Sequence, residues 1–145
     1  KTIPGLRHAQ KYAIRLGGCD NHRSGLYDGI LIKENHITAA DSISNAASVD
    51  CKCKPGVMVE VEVENEEQIQ QALAADADRL LLDNFDIAAL TTAVQTVAGR
   101  AELEASGNIT LENLRDTALT GVDFISIGSL TKNIQAIDLS MLFTN

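Results

Sequence analysis

The sequence lacks several features that would place it in a large class of proteins at once. No apolar run approaches the roughly 18 residues that a membrane-spanning helix needs, and no signal-peptide pattern is present. Basic residues are in deficit: the formal net charge of -8 and the pI near 4.7 argue against general nucleic-acid binding, which needs a basic face. No GxxxxGK phosphate loop occurs. We therefore expect neither a membrane nor a nucleic acid as a partner.

Cysteine is scarce as well. Cys19, Cys51 and Cys53 make an odd number without the spacing of a disulfide framework. This usage favours a reduced, intracellular protein, and we expect a cytoplasmic location. The pair Cys51 and Cys53 resembles part of a metal site, but no other cluster of Cys and His in the sequence completes it.

The sequence contains enough apolar residues for about one packed domain, with 145 residues of which 45% are hydrophobic. Its charges are unevenly distributed: residues 1–54 carry eight Lys and Arg against five Asp and Glu, whereas residues 55–145 carry four against fifteen. A basic front and an acidic back suit a site that holds an anionic ligand with one half and a divalent cation with the other. The alternative is that most of the acids lie on solvated helix faces.

Short apolar runs alternate with helical patterns and predict a parallel sheet covered by helices. Predicted strands begin near residues 29, 57, 79, 101 and 124, and their spacing fits a (β/α) barrel. Because a closed barrel has about eight strands, the fold class is α/β, a partial (β/α) barrel with parallel strands. Between Val57 and Glu64, Val alternates with Glu, and on an ordinary surface strand the Glu face would be solvated.

The connecting segments are predicted from caps and helical periodicity. Helices are expected up to residue 16 and over residues 41–50, 65–77, 87–98 and 110–119, with a loop over 51–56 and a turn at 128–129. Leu6, Ala9, Ala13 and Leu16 form the apolar face of the first helix, Asn65 caps the third and Thr110 caps the last. The tail from residue 134 is expected to be peripheral.

Residues 21–37, NHRSGLYDGILIKENHI, concentrate basic side chains around a short apolar run. The run from Gly29 to Ile32 predicts a buried strand, and Lys33 and His36 follow where this strand ends. Cations at the mouth of a buried strand are costly unless an anionic group meets them. This segment therefore predicts a site for a multiply charged small molecule, with His36 in a supporting structural role.

Functional groups in parallel sheets collect at the carboxyl ends of the strands. Here those positions hold one cation, two carboxylates and two turns that contain glycine. Carboxylates bind Mg2+ and leave room for phosphate ligands, and small residues let backbone N–H groups approach a phosphate at a helix N-terminus. Taken singly, each of these residues also suits an ordinary surface position or a helix cap. Together they predict a cradle for metal-bound phosphate, formed by Lys33, Glu62, Asp83, Ser106–Gly107 and Gly128–Ser129.

Six segments resemble the quinolinate phosphoribosyltransferases, also called carboxylating nicotinate-nucleotide pyrophosphorylases. They occur in the order and spacing of that family and span nearly the whole chain. The segments are KTIPGLR at 1–7, NHRSGLYDGILIKENHI at 21–37, VEVEVEN at 59–65, LLLDNF at 80–85, LEASGNIT at 103–110 and GVDFISIGSLTK at 121–132.

The resemblance implies part of a two-domain type II phosphoribosyltransferase that is dimeric and uses Mg2+. Such enzymes make nicotinate mononucleotide from quinolinate and phosphoribosyl pyrophosphate and release pyrophosphate and CO2. Residues 1–145 would then be the C-terminal α/β-barrel domain, incomplete at its N-terminus. The other half completes the site of the neighbouring subunit, so the isolated chain is expected to be inactive. Cys19 stands where many members have Gly, which would alter the loop before Asn21.

The resemblance also implies roles for individual residues. Lys1, His22, Arg23 and Lys33 match a cationic wall that receives the carboxylates of quinolinate and part of the pyrophosphate. Glu62 and Asp83 match an acidic pair near the ribose and Mg2+, and with Lys1 they form the expected catalytic set. The turns that hold the ribose 5-phosphate match Ser106, Gly107, Asn108, Gly128 and Ser129, with Lys132 nearby.

Two other functions stay open at this point. One is a related phosphoribosyltransferase that uses another pyridine or a molybdenum-linked substrate. The other is a truncated, non-catalytic fragment that serves as an assembly or binding piece.

Overall fold

A computed structural model describes residues 1–23, 25, 27–53 and 56–144, with residues 49–53 by their backbone alone. It divides into two compact units, Asn21–Ile127 and a smaller one made of Lys1–Asp20 and Gly128–Asn145. The elements in chain order are α1 (Arg7–Leu16), β1 (Ile30–Ile32), α2 (Glu34–Ala40), α3 (Ile43–Cys53), β2 (Val59–Val63), α4 (Glu66–Ala74), β3 (Arg79–Asp83), α5 (Ile87–Val97), β4 (Glu102–Ser106), α6 (Leu114–Leu119), β5 (Phe124–Ile125) and α7 (Ser129–Lys132).

The larger unit is organised around one sheet of five parallel strands. Spatial order follows chain order, β1-β2-β3-β4-β5, and at least one helix separates each strand from the next. This is the winding of a (β/α) barrel, in which every connection passes over the same face of the sheet. The predicted partial barrel of five parallel strands is therefore confirmed.

One face of this sheet forms the hydrophobic core with the helices. Val61 and Val63 of β2 and Leu80 and Leu82 of β3 are fully buried on it, because alternate residues of a strand point to the same side. Against them pack the apolar faces of α4 and α5, which supply Ile69, Ala72, Leu90, Ala93 and Val97.

Two helices of the core begin at capping residues, of which Asn65 was predicted from the sequence. The Asn65 side chain accepts a hydrogen bond from the N–H of Gln68 at 3.0 Å, and Asp86 accepts one from Ala89 at 2.8 Å. Helix α4 ends three residues before its predicted end, and Asp76 then takes a left-handed conformation with φ of 53°.

Four predicted boundaries are wrong. Helix α2 was not expected: it follows β1 directly, and the left-handed Asp41 separates it from α3. Residues 51–53, predicted as loop, continue α3, and Pro55 of that loop lies outside the described residues. Helix α6 begins at Leu114 because the residues after Thr110 form a turn, and Gly128 opens the short α7 instead of a simple turn.

The smaller unit contains α1, α7 and the end of the chain. Helix α1 ends at Gly17 as predicted, but its buried residue is Gln10 and not the expected apolar face, since Leu6 and Leu16 are exposed. Gln10 accepts a hydrogen bond from the N–H of Ile3 at 2.7 Å and donates one to the carbonyl of Thr131 at 2.6 Å. Residues 134–144 form no helix or strand and are exposed, as predicted.

Within the ranges that the structure covers, every helix is too short or too polar to cross a membrane.

Candidate active site

The second face of the sheet carries charge. Along β2, Glu60 and Glu62 alternate with the buried valines, and Glu60 pairs in register with Arg79 of β3. Arg79 in turn pairs with Glu102 of β4, while Asp83 pairs with Ser106. We call this surface the polar face; its members are Glu60, Glu62, Arg79, Asp83, Glu102, Glu104 and Ser106.

The carboxyl ends of four neighbouring strands bring predicted site residues to one edge of the polar face. Lys33 follows β1, Glu62 lies near the end of β2, and Asp83 and Ser106 are the last residues of β3 and β4. Lys33 and Glu62 form an ion pair in which the ammonium group donates a hydrogen bond to the carboxylate. The predicted cation and one predicted metal ligand therefore neutralise each other here.

His36 stabilises the start of α2 directly behind Lys33. Its Nδ1 atom accepts a hydrogen bond from the backbone N–H of Lys33 at 3.0 Å. The supporting role predicted for His36 is confirmed by this contact.

Asn84 links the ends of β3 and β4. Its side-chain amide donates to Asp83 at 2.8 Å and accepts from Asn108 at 3.1 Å, while its backbone N–H donates to the Ser106 carbonyl at 2.9 Å. Asn84 has a φ of 59° and Gly107 one of 93°, so both are left-handed. A Cβ atom at Gly107 would lie 2.2 Å from Asn84 Oδ1, and only glycine fits.

The turn after Gly107 is closed by Asn113 and not by a helix. The Asn113 side chain accepts a hydrogen bond from the N–H of Thr110 at 2.8 Å and donates one to the carbonyl of Asn108 at 3.1 Å. The prediction that Thr110 caps a helix here is wrong. Because α6 begins only at Leu114, no helix N-terminus lies directly at the Ser106–Asn108 turn.

His22 precedes β1 and lies against two buried carboxylates of the polar face. Its Nε2 atom is 2.8 Å from Glu60 Oε2 and 3.7 Å from Glu104 Oε1. The shorter contact has the distance of a hydrogen bond but a poor angle, so neither Glu60 oxygen has a well-aligned donor among the described residues. The Glu60 carboxylate beside the imidazole raises the pKa of His22, and the charge of Glu104 adds to this effect.

Glu104 has other partners besides His22. Arg79 Nη1 lies 3.2 Å from Glu104 Oε2, and the hydroxyl of Ser126 donates to the other oxygen. The Arg79 guanidinium also lies 3.9 Å above the ring of Phe124 and contacts Glu102 at 2.7 Å. Burial, followed by the nearby charge of Glu60, raises the pKa of Glu104.

Arg23 is half-buried in the same loop as His22. Its Nη1 atom donates a hydrogen bond to the carbonyl of Gly29 at 3.2 Å, which holds the loop against the start of β1. The sequence placed Arg23 and His22 side by side, and the structure gives them different contacts.

Three of the predicted site residues belong to the smaller unit. The carbonyl of Lys1 accepts a hydrogen bond from the Thr131 hydroxyl, and the carbonyl of Gly128 accepts one from Lys132 N–H at 3.1 Å, at the start of α7. Ser129 is the first residue of that helix. The remaining predicted residues all belong to the larger unit: His22, Arg23, Lys33, Glu62, Asp83, Ser106, Gly107 and Asn108.

Comparison with known proteins matches this arrangement to one family. The model of the quinolinate phosphoribosyl transferase C-terminal domain covers residues 1–142. The chain belongs to this family. The probable carboxylating nicotinate-nucleotide pyrophosphorylase of Bacillus subtilis is 47% identical over 143 residues, which are 97% of this chain and 49% of that protein. The carboxylating nicotinate-nucleotide pyrophosphorylase of Mycobacterium leprae is 43% identical over 144 residues, again 97% of this chain and 51% of that protein.

Solved structures show the same likeness. The nicotinate-nucleotide pyrophosphorylase of Francisella tularensis superposes with a TM-score of 0.92 at 52% identity, over 96% of this chain and 50% of that one. The thiamine phosphate pyrophosphorylase of Pyrococcus furiosus, at 19% identity and a TM-score of 0.62 over 89% of this chain and 69% of that one, shares the fold alone. The chain thus spans about half the length of the phosphoribosyl transferase relatives that it matches.

Sequence reasoning missed Glu60, Glu104, Arg79 and Asn84 in this member of the family. Glu60 was assigned to a face that is usually solvated, yet it is fully buried. A signal was present: Glu102 and Glu104 alternate with apolar residues along the fourth strand as Glu60 and Glu62 do along the second, so the carboxylates of each strand share one face of the sheet. The contact of Glu60 with His22 was not visible in the sequence, because 38 positions separate the two residues.

Proposed function

We propose that this chain forms part of an enzyme that transfers phosphoribosyl from phosphoribosyl pyrophosphate to quinolinate. The reaction releases pyrophosphate and CO2 and yields nicotinate mononucleotide, a step of NAD biosynthesis. The enzyme is a homodimer in which the half outside this chain contributes across the interface. The observation that carries the proposal is the edge of the polar face, where Lys33, Glu62, Asp83 and Ser106 lie at the carboxyl ends of four consecutive strands.

The charges of the larger unit fit a pyridine dicarboxylate. Arg23 and Lys33 are basic residues, and the two carboxylates behind the ring of His22 favour its positively charged form. In the structure, Lys33 is paired with Glu62. A substrate carboxylate replaces Glu62 as the partner of Lys33, which frees the Glu62 carboxylate for the ribose side of the site. In the smaller unit, Lys1 is assigned to the pyrophosphate.

Glu62 and Asp83 fit Mg2+ in donor type and in number. Both offer carboxylate oxygens from neighbouring strands on the same face, and the side chain of Glu62 is 17% exposed. Mg2+ is usually held by one or two carboxylates together with water and substrate phosphates. Among the described residues, neither acid belongs to a cluster of three ligands, so phosphate oxygens have room to complete the shell. When bound, Mg2+ neutralises charge on the pyrophosphate leaving group.

The proposed transfer needs no side-chain nucleophile. The pyridine nitrogen attacks the anomeric carbon while pyrophosphate leaves, and positive charge develops on the ribose ring. The Glu62 and Asp83 carboxylates stabilise this charge electrostatically, because they are fixed near it before the reaction begins. In the larger unit, the turn at Ser106–Asn108 binds the 5-phosphate through its backbone N–H groups.

Decarboxylation follows from the charge that transfer creates. Once the ring nitrogen is positively charged, the bond to the adjacent carboxylate breaks, CO2 leaves, and the electron pair stays on the ring carbon next to the nitrogen. A proton then completes this carbon. His22, Arg23 and Lys33 hold the ring in one position for both steps.

The test is an assay of the product of the complete reading frame that contains these 145 residues. With quinolinate, phosphoribosyl pyrophosphate and Mg2+, we expect nicotinate mononucleotide and CO2 in equal amounts, and none without Mg2+. Arg23→Ala should raise KM for quinolinate at least about tenfold, because a charge-assisted hydrogen bond is worth roughly 1.5–3 kcal/mol.

The matched control is Arg115→Ala, which removes the same charge from an exposed position on α6. It should leave both kinetic constants unchanged. Absence of nicotinate mononucleotide from a folded wild-type protein would refute the proposal. Competition between quinolinate and other pyridine carboxylates separates it from a relative with another substrate, since two carboxylates are needed for full occupation of the basic groups.

A further inference from the structure

Glu60 and Glu104 are buried carboxylates that the proposed reaction does not use. Glu60 of β2 is 0% exposed and Glu104 of β4 is 3% exposed, and both belong to the polar face. An ionised carboxylate is costly to bury unless charges or hydrogen bonds compensate it. The burial of two such groups beside a residue of the candidate site therefore indicates that they have a functional role.

The negative charges of the two carboxylates are compensated by different groups. Glu104 is bound by Arg79 at 3.2 Å and by the hydroxyl of Ser126. Glu60 has His22 Nε2 at 2.8 Å, and neither of its oxygens has a well-aligned hydrogen-bond donor in the described part of the chain. The carboxylate of Glu60 is thus directed at the imidazole of His22.

The imidazole is held by one edge. Its Nε2 atom lies between the two carboxylates, while 24% of the side chain remains exposed. The two nitrogens of an imidazole point in divergent directions, so a ring whose Nε2 is engaged by buried carboxylates turns Nδ1 away from them. Nδ1 is then the nitrogen available to a ligand.

We propose that Glu60, assisted by Glu104, is a positioning residue that fixes the His22 ring so that its Nδ1–H is presented to a carboxylate of the pyridine substrate. This inference rests on the proposed function. The arrangement resembles that of a metal-bound or catalytic histidine. In such a histidine, a carboxylate binds the nitrogen that faces away from the ligand and sets the orientation and protonation of the ring.

The charges around the ring favour its protonated form. Glu60 of β2 and Glu104 of β4 raise the pKa of His22, burial of the ring and Arg23 of the same loop lower it, and the net result is a raised pKa. An imidazolium attracts a substrate carboxylate more strongly than a neutral ring does, because its hydrogen bond is charge-assisted.

The same three residues place ligand atoms within 4.8 Å of one another, which also resembles a metal triad. The positioning role is favoured because Arg79 and Ser126 already occupy both oxygens of Glu104. A metal would also require His22 to lose a proton, against the direction of its pKa.

The kinetic test uses Glu60→Gln in the product of the complete reading frame, with Glu64→Gln, an exposed residue directly after the same strand, as the matched control. Loss of the carboxylate should raise KM for quinolinate about tenfold while KM for phosphoribosyl pyrophosphate and kcat change by less than about threefold. An equal change in all constants, or no change, would overturn the proposal. Wild-type turnover in the same assay tests the proposed function separately.

A second measurement does not depend on the variant folding or on turnover. Nitrogen NMR of wild-type protein with labelled histidine, in the presence of a chelator, should show both nitrogens of His22 staying protonated to a higher pH than in free histidine, with His22→Asn identifying the signals. Addition of quinolinate should shift Nδ1 more than Nε2. A His22 ring that loses its proton at or below the pH at which free histidine does, a larger response at Nε2, or a spectrum that changes when the chelator removes a metal would each overturn the positioning role.

Discussion

At the scale of single residues, the candidate site depends on a few left-handed backbone positions. Asn84 and Gly107 both have positive φ, and together they connect the ends of β3 and β4 beside Asp83. An asparagine tolerates this conformation, whereas the close approach of Asn84 Oδ1 leaves no space for a side chain at position 107. The orientation of Asp83 therefore depends on a glycine that carries no chemistry itself.

Gly107→Ala should destabilise the protein and disturb Asp83. The added Cβ meets Asn84 Oδ1 at 2.2 Å and the backbone nitrogen of Asn84 at 2.9 Å, so the backbone has to move. Gly99→Ala is the matched control, since Gly99 also has positive φ but nothing lies within 4 Å of its Cβ position. We expect the free energy of unfolding to fall by roughly 1–2 kcal/mol for the control and by about 1–3 kcal/mol more for Gly107→Ala.

Urea unfolding of both variants measures this difference directly. Equal losses for the two would mean that the contact with Asn84 carries no energy and that only the left-handed conformation matters. In the assay of the complete protein, Gly107→Ala should also lower kcat, whereas Gly99→Ala should not.

At the scale of helices and strands, the sequence predicted the sheet because its apolar runs and its caps agree. Asn65, the predicted cap, marks the start of α4, and β3 begins at Arg79 as predicted. Helix α2 was missed because it is short, contains the β-branched Ile37 and Thr38, and lacks a Ser, Thr, Asp or Asn cap; Lys33 occupies that position instead.

The site was predicted only in part, for a related physical reason. Positions at strand ends follow from strand limits, so Lys33, Glu62 and Asp83 were found from the sequence. Whether a strand face is solvated or buried depends on what closes over it, which one strand does not encode. The burial of Glu60 and its contact with His22 required the packed structure.

Asn65→Ala should destabilise α4 by about 1 kcal/mol, because its side chain satisfies the N–H of Gln68 at the helix start. Asn65→Ser is the matched control. Because serine caps helices about as well as asparagine, this variant should lose little stability. Thermal unfolding monitored by circular dichroism compares the two. A serine variant as unstable as the alanine variant would show that Asn65 acts through something other than capping.

At the scale of the whole molecule, two properties bear on the candidate site: the net charge of the chain and the length of its relatives. The net charge is -8, yet the predicted site binds anions, so basic groups have to be concentrated where the ligand lies. His22, Arg23 and Lys33 provide this locally in the larger unit. The relatives that match almost all of this chain are about twice as long, and half of each lies outside the match.

The last prediction concerns this other half. We expect the 145 residues alone to produce no nicotinate mononucleotide. A chimera in which they replace the matching 143 residues of the Bacillus subtilis relative should be active. At 47% identity the core positions are similar enough for the domain contacts to form, and the second half then supplies the groups that complete the site. Product formation is measured by chromatography, with the His22→Ala chimera as the negative control. Turnover by the isolated chain would show that this half contains the complete site, and a folded but inactive chimera would show that the domain contacts are specific to each protein.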